Sequence, residues 1–163
     1  MSSASKVKAV VLTVSDRASA SQSPDESGPA VQRLLEHAGF EVSSVHVLPD
    51  IQQMIAQFLA TAVVHHQLVV TTGGTGLGPR DVTPEATRSV LDYEVPGLAE
   101  LMRAEGLRKT PMAALSRSLV GVRGRALIVN LPGSVTGATE SLAAIVPVLG
   151  HAVKLLAGDT AHQ

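Results

Sequence analysis

The chain has 163 residues, 45% hydrophobic and 17% charged, which suits one domain over residues 1–163 burying about two-thirds of its unfolded surface. A net charge of −1 with one Tyr, two Phe and no Trp offers neither a polyanion-binding surface nor a base-stacking platform, so nucleic acid is not an expected partner. The absence of Cys removes disulfides, thiolate nucleophiles and zinc-thiolate sites. The N-terminus has no cationic stretch leading into an apolar run, and no apolar segment approaches about 18 residues, so a cytoplasmic protein with no membrane partner is expected.

In chain order, Lys6 to Val14 is short, β-branched and nearly all apolar, as in a strand covered on both faces. The polar stretch at 19–27 (SASQSPDES) reads as a mobile loop. Ser27 to Gly39 is predicted helical, with Ser27 as cap, Pro29 in the first turn and Gly39 as terminator. Glu41 to Leu48 is a second strand, and Ile51 to His65 carries a helical stripe at 51, 54, 55, 58, 59 and 62. Gln67 to Thr71 is a third, buried strand. This β-α-β-α-β order with short joints implies a parallel sheet between helices, with ligands beyond the carboxyl ends of the strands.

Further on, Thr83 to Leu91 is predicted helical with Thr83 as cap and Pro84 at its first position. Pro96 to Arg108 is another helix. Ala126 to Leu131 is a core strand entered from Val120 to Gly124 as a hairpin, and Thr136 to Ala157 is a closing helix kinked at Pro147.

Residues 71–81 read TTGGTGLGPRD. A Walker A loop needs Lys and then Ser or Thr after its last glycine, whereas Gly78 is followed by Pro79 and Arg80. The dinucleotide fingerprint counted from Gly74 fails because Pro79 occupies its third glycine position. What survives is a strand end whose glycines let several amides converge near a helix N-terminus, an arrangement that favours an anion, although such turns also occur simply as tight turns. Arg80 offers a fork suited to phosphate or carboxylate. Asp81 could hold Mg²⁺ bridging nucleotide oxygens, or could only stabilise the start of the following helix. NLPGS at 130–134 ends the last strand similarly, whether as an anion site or as a Pro-Gly type II turn. Two such turns at one sheet edge suggest a ligand with more than one phosphate. The histidines at 37, 46, 65, 66, 151 and 162 have no helical metal-site spacing, and Met54, Met102 and Met112 read as core filler.

Taken together, VSDR (14–17) with SGP (27–29), LPD (48–50), TTGGTG, RDVTPEA (80–86), PGLAELMR (96–103), LSR (115–117) and NLPGS resemble the Mog and MoaB-like family, which includes gephyrin G domains. The resemblance spans about residues 7 to 157, departing at Val135, where the family commonly has a second proline. It implies a three-layer α/β/α domain with a mostly parallel five-stranded sheet, and a homotrimer. It also implies an activity, molybdopterin adenylyltransferase, in which AMP passes from Mg-ATP to the terminal phosphate of molybdopterin and pyrophosphate leaves. The partner it implies is a separate molybdate-insertion protein.

By the same resemblance, Asp50 and Asp81 are the catalytic and Mg²⁺-positioning carboxylates. Gly73, Gly74, Thr75 and Gly76 would present amides to nucleotide phosphate, with Arg80, Pro84 and Glu85 in the adjoining motif. Ser15, Asp16 and Arg17 would line the same edge. Ser116, Arg117, Asn130, Pro132, Gly133 and Ser134 would form the pterin side. A competing reading is a MoaB-like carrier that holds molybdopterin without transferring AMP; retention of both Asp50 and Asp81 favours the enzyme. An assembly scaffold has less support, because the sequence shows no linker or added interaction domain.

Overall fold

The computed structural model describes residues 5–160; His162 lies outside them. Its sheet is built from β1 (Lys8–Val14), β2 (Glu41–Leu48), β3 (Leu68–Thr72), β4 (Tyr93–Glu94), β5 (Val120–Arg123) and β6 (Ala126–Leu131), in the spatial order β2-β1-β3-β6-β5-β4. The pairs β1/β2, β1/β3 and β3/β6 are parallel, while β5 runs antiparallel to both β6 and β4. The sheet is therefore mostly parallel, as expected, but has six strands rather than five. The extra one is the two-residue β4, too short and too polar to stand out in sequence.

Period-two alternation in β1, β3 and β6 sends residues to opposite faces. Ala9, Val11, Leu68, Val70, Leu127 and Val129 pack with α2 (Ser27–His37), α5 (Pro96–Leu107) and α6 (Val135–Leu156). Val10, Leu12, Val14, Val69 and Ile128 pack with α3 (Gln52–His65) and α4 (Thr83–Val90) on the other face. Two dry interfaces on one sheet make the expected three layers. Among the described residues only α6 is long and apolar enough by composition to cross a membrane, yet its Ala138, Leu142, Ile145, Leu149 and Val153 are buried against the sheet.

Several local expectations change. Thr83 does not cap α4: it is the first helical residue, and its hydroxyl donates to the Gly73 carbonyl instead. Ser27 lies inside α2, where the Gly28 amide bonds Asp25 Oδ1 at 3.0 Å. The stretch read as a mobile loop begins in a four-residue helix, α1 (Asp16–Ser19), and ends in α2, with Asp25 also accepting from the Thr13 hydroxyl at 2.8 Å. The closing helix is present as expected, with Pro147 inside it. Met54 and Met112 are 39% and 65% exposed, so neither fills the core.

Candidate active site

The parallel strands β1, β2, β3 and β6 end at one edge of the sheet, and because β5 runs opposite to β6, the segment entering β5 reaches that edge too. This topology gathers Ser15–Arg17, Asp50, the loop after β3, Ser116–Arg117 and Pro132–Ser134.

The loop after β3 is built on two left-handed residues, Gly73 (φ 101°) and Gly74 (φ 70°). A Cβ at Gly73 would collide with the Val14 carbonyl oxygen, and one at Gly74 with the Thr83 hydroxyl. Four successive carbonyls turn toward the protein. Gly73 O accepts from Thr83 Oγ1 at 2.9 Å and Gly74 O from the Thr83 amide at 3.1 Å. Thr75 O accepts from the Arg117 amide at 2.9 Å and Gly76 O from Arg117 Nε at 2.8 Å. The amides of Gly74, Thr75 and Gly76 have no partner among the described residues, which leaves three adjacent donors for an anion. Asp81 is half-buried, its Oδ2 accepting from the Gly78 amide at 3.0 Å.

Next to the loop, Asp16 and Asp50 are tied reciprocally. The Asp16 amide donates to Asp50 Oδ2 at 3.0 Å, and the Asp50 amide to Asp16 Oδ1 at 2.9 Å. Arg80 grips both Asp16 oxygens, at 3.0 and 3.1 Å. The Arg80 hydrogen bonds, then the Asp50 amide, hold the Asp16 carboxyl below the ordinary aspartate value. Burial pushes Asp50 the other way, with the Asp16 and Asp81 charges adding to it against the Asp16 amide. The fold thus favours ionised Asp16, a stabilisation present above the ordinary aspartate value and lost as pH falls through its folded pKa. It disfavours ionised Asp50, a penalty relieved as pH falls through the raised pKa. In a carboxyl-observed NMR titration Asp50 should protonate above 3.8 and Asp16 below it, and the reverse order would contradict this geometry.

Two cavities open at this edge. The more polar one, about 670 Å³, is lined by Ser15, Asp16, Arg17, Asp50, Gly73 and Gly74. The other, about 460 Å³, runs past Gly74, Thr75, Gly76, Ser116 and Pro132 to Met102, Arg103, Met112 and Leu115. Gly74, Asp81, Gly133 and Ser134 line both. Ser134 Oγ accepts from the Gly137 amide at 3.0 Å and caps α6, whose N-terminus faces both spaces. Gly133 has no positive φ, so its turn is not type II.

Not every candidate lines a cavity. Arg80 is turned onto Asp16. Pro84 is buried in the first turn of α4, and Glu85, on the same turn, pairs with Arg117. Asn130, expected on the pterin side, is wholly buried and lines neither cavity: its Nδ2 donates to the Thr71 and Thr87 hydroxyls, each at 3.0 Å, and its Oδ1 accepts from the Leu119 amide. Asn130→Ala should therefore cost about 3 kcal/mol by leaving buried groups unpaired, with ligand affinity unchanged while the protein is folded. A urea midpoint combined with calorimetry checks this; intact stability with lost binding would contradict it. Conversely, sequence reasoning did not single out Thr13, Asp25, Arg103 or Glu140, all of which line these cavities. Of these, Arg103 closes the PGLAELMR motif and Asp25 stands just ahead of SGP, whereas Thr13 and Glu140 had no local signal.

Residues 10–151 match the family model described as a probable molybdopterin binding domain. The molybdopterin adenylyltransferase of Helicobacter pylori strain J99 is 40% identical over 91% of this chain and 87% of its own length. That of Escherichia coli K12 is 40% identical over 88% and 75%. Longer relatives also match: this chain spans 25% of the Drosophila melanogaster molybdenum cofactor synthesis protein cinnamon. Among solved structures, the molybdopterin biosynthesis enzyme MoaB of Thermus thermophilus aligns with a TM-score of 0.88 at 52% identity, covering 93% of this chain and 97% of that one. The Mog protein of Mycobacterium ulcerans gives 0.88 at 40%, covering 95% and 99%. An α/β chain with a two-cavity site at the carboxyl edge of its sheet is the class that fold and site define. Within that class, this chain belongs to the molybdopterin-binding domain family of molybdenum cofactor biosynthesis.

Proposed function

We propose that the chain is a molybdopterin adenylyltransferase. The observation that carries this reading is the wall common to both cavities, where Gly74, Asp81, Gly133 and Ser134 would bring a phosphate from each side to one point. The reaction needs that juxtaposition: a terminal phosphate oxygen of molybdopterin attacks the α-phosphorus of ATP, the new O–P bond forms as the bond to the β-phosphate breaks, and pyrophosphate departs. Both reactants are anionic, so positioning and charge stabilisation supply most of the acceleration and no protein nucleophile is required. The amides of Gly74–Gly76 and the N-terminus of α6 stabilise phosphate charge in this scheme. Ser15, Asp16, Arg17 and Asp50 belong to the nucleotide side, and Ser116 and Pro132–Ser134 to the pterin side.

Among the described residues no three His, Cys, Asp or Glu side chains come together as a metal cage. That suits Mg²⁺ carried in by ATP, which binds through one or two carboxylates plus phosphate oxygens and water. Asp50 and Asp81 are the carboxylates that would hold it, and when bound it neutralises triphosphate charge. A homotrimer, a cytoplasmic location and a separate molybdate-insertion partner complete the reading.

The test is Mg²⁺-dependent pyrophosphate release from ATP by the purified protein, with and without molybdopterin. Release that requires molybdopterin is expected. Binding of both compounds without release would replace this reading with a molybdopterin carrier. Light scattering should give three times the 16.8 kDa chain mass.

A further inference from the structure

Arg117 was expected on the pterin side, but each of its three guanidinium nitrogens bonds to the protein, and it lines neither cavity. Its guanidinium donates Nε to Gly76 O at 2.8 Å, Nη2 to Asp81 O at 2.9 Å and Nη1 to Glu85 Oε1, while its own amide holds Thr75 O. Three acceptors from three points of the chain, at the angles of one planar fork, are a match that Lys could not reproduce. Glu85 is fixed in turn by the first turn of α4, which also positions Thr83, the holder of the other two loop carbonyls. Burial pushes the Glu85 carboxyl up, but Arg117 and Glu85's own amide outweigh it and leave the group below its ordinary value, hence ionised. Glu85 Oε2 is buried without a donor, so Arg117 is the side-chain partner holding this carboxylate.

We propose that Arg117 and Glu85 are positioning residues, an internal clamp that turns the Thr75 and Gly76 carbonyls inward and so keeps the amides of Gly74–Gly76 aimed at bound phosphate. Neither side chain touches substrate. The clamp rests on the adenylyl-transfer reading for its kinetic consequence, but its effect on the loop exists without any ligand.

The first measurement needs no activity. ¹⁵N relaxation of the free protein should give residues 73–78 order parameters of about 0.85, falling below about 0.6 in Arg117→Ala and in Glu85→Ala while the sheet keeps its values. A loop as rigid in both variants as in wild type overturns the clamp. The second measurement is steady-state kinetics. Arg117→Ala, Arg117→Lys and Glu85→Ala should each lower kcat about 10²-fold, the scale of a misaimed donor, with the KM for molybdopterin within about threefold. The double Ala variant should lose no more than the worse single one. A raised KM with unchanged kcat would make Arg117 a direct pterin ligand, and full rescue by Lys would show that charge alone suffices; either overturns the proposal. If Arg117→Ala fails to fold, Glu85→Ala carries both tests. Wild-type protein without adenylyl transfer would sink the enzymatic reading, leaving the order parameters to decide the clamp.

Discussion

Asp81→Asn is expected to leave the fold unchanged and to reduce adenylyl transfer by about 10²- to 10³-fold, the loss seen when a group stabilising transition-state charge is removed. The substitution is nearly isosteric, and the Asn side-chain oxygen can still accept from the Gly78 amide, so the loop keeps its local tie. What disappears is a negative charge at the wall lined from both cavities, next to the three unpaired amides. On the adenylyl-transfer reading, losing the charge would remove the proposed anchor for Mg²⁺ on the triphosphate while leaving the amide donors in place. Nucleotide should accordingly still bind. Pyrophosphate release measured beside a thermal melt separates the effects, and full release by a folded variant would remove Asp81 from the mechanism.

Gly73→Ala should act on the fold itself. A φ of 101° strains any residue with a Cβ by about 1–3 kcal/mol. The added methyl also meets a backbone atom, the Val14 carbonyl oxygen, which cannot swing aside as a side chain would. Overpacking of this kind costs about 1–3 kcal/mol more. The sum, about 4 kcal/mol, is a large share of the roughly 5–15 kcal/mol that holds a typical domain folded. Urea unfolding would reveal it as a lower midpoint at similar slope. A midpoint within experimental error of wild type would show that the loop is not pinned against β1 as described.

Much of the architecture was legible because two signals were strong. Apolar β-branched runs marked β1, β3 and β6, an apolar stripe at helical spacing marked α3, and Pro in the first turn marked α2 and α4. Their order forces the parallel sheet and thereby brings Asp16, Asp50 and Gly73 to one edge. What stayed hidden depends on the direction in which side chains point. Thr83 has the residue type and position of a helix cap, yet its hydroxyl serves the Gly73 carbonyl, because the loop folds back over the helix start. Asn130 and Arg117 sit in motifs that bear on the site, but one is a buried tie between β6, β3 and α4 and the other lies beneath the loop. Motif membership says that a residue matters to a site; only its packing separates touching the ligand from shaping what touches it. Glu140 lines the smaller cavity with Arg103 of the PGLAELMR motif because α5 and α6 pack side by side, and nothing in the sequence near Glu140 signals that juxtaposition.

The most direct measurement is a crystal structure of the protein with Mg²⁺ and a non-hydrolysable ATP analogue. The expected density puts phosphate oxygens within hydrogen-bonding distance of the Gly74, Thr75 and Gly76 amides, with the α-phosphate at the junction lined by Asp81, Gly133 and Ser134 and open toward the second cavity. A triphosphate bound away from those amides, or an α-phosphate walled off from that cavity, would contradict transfer between the two.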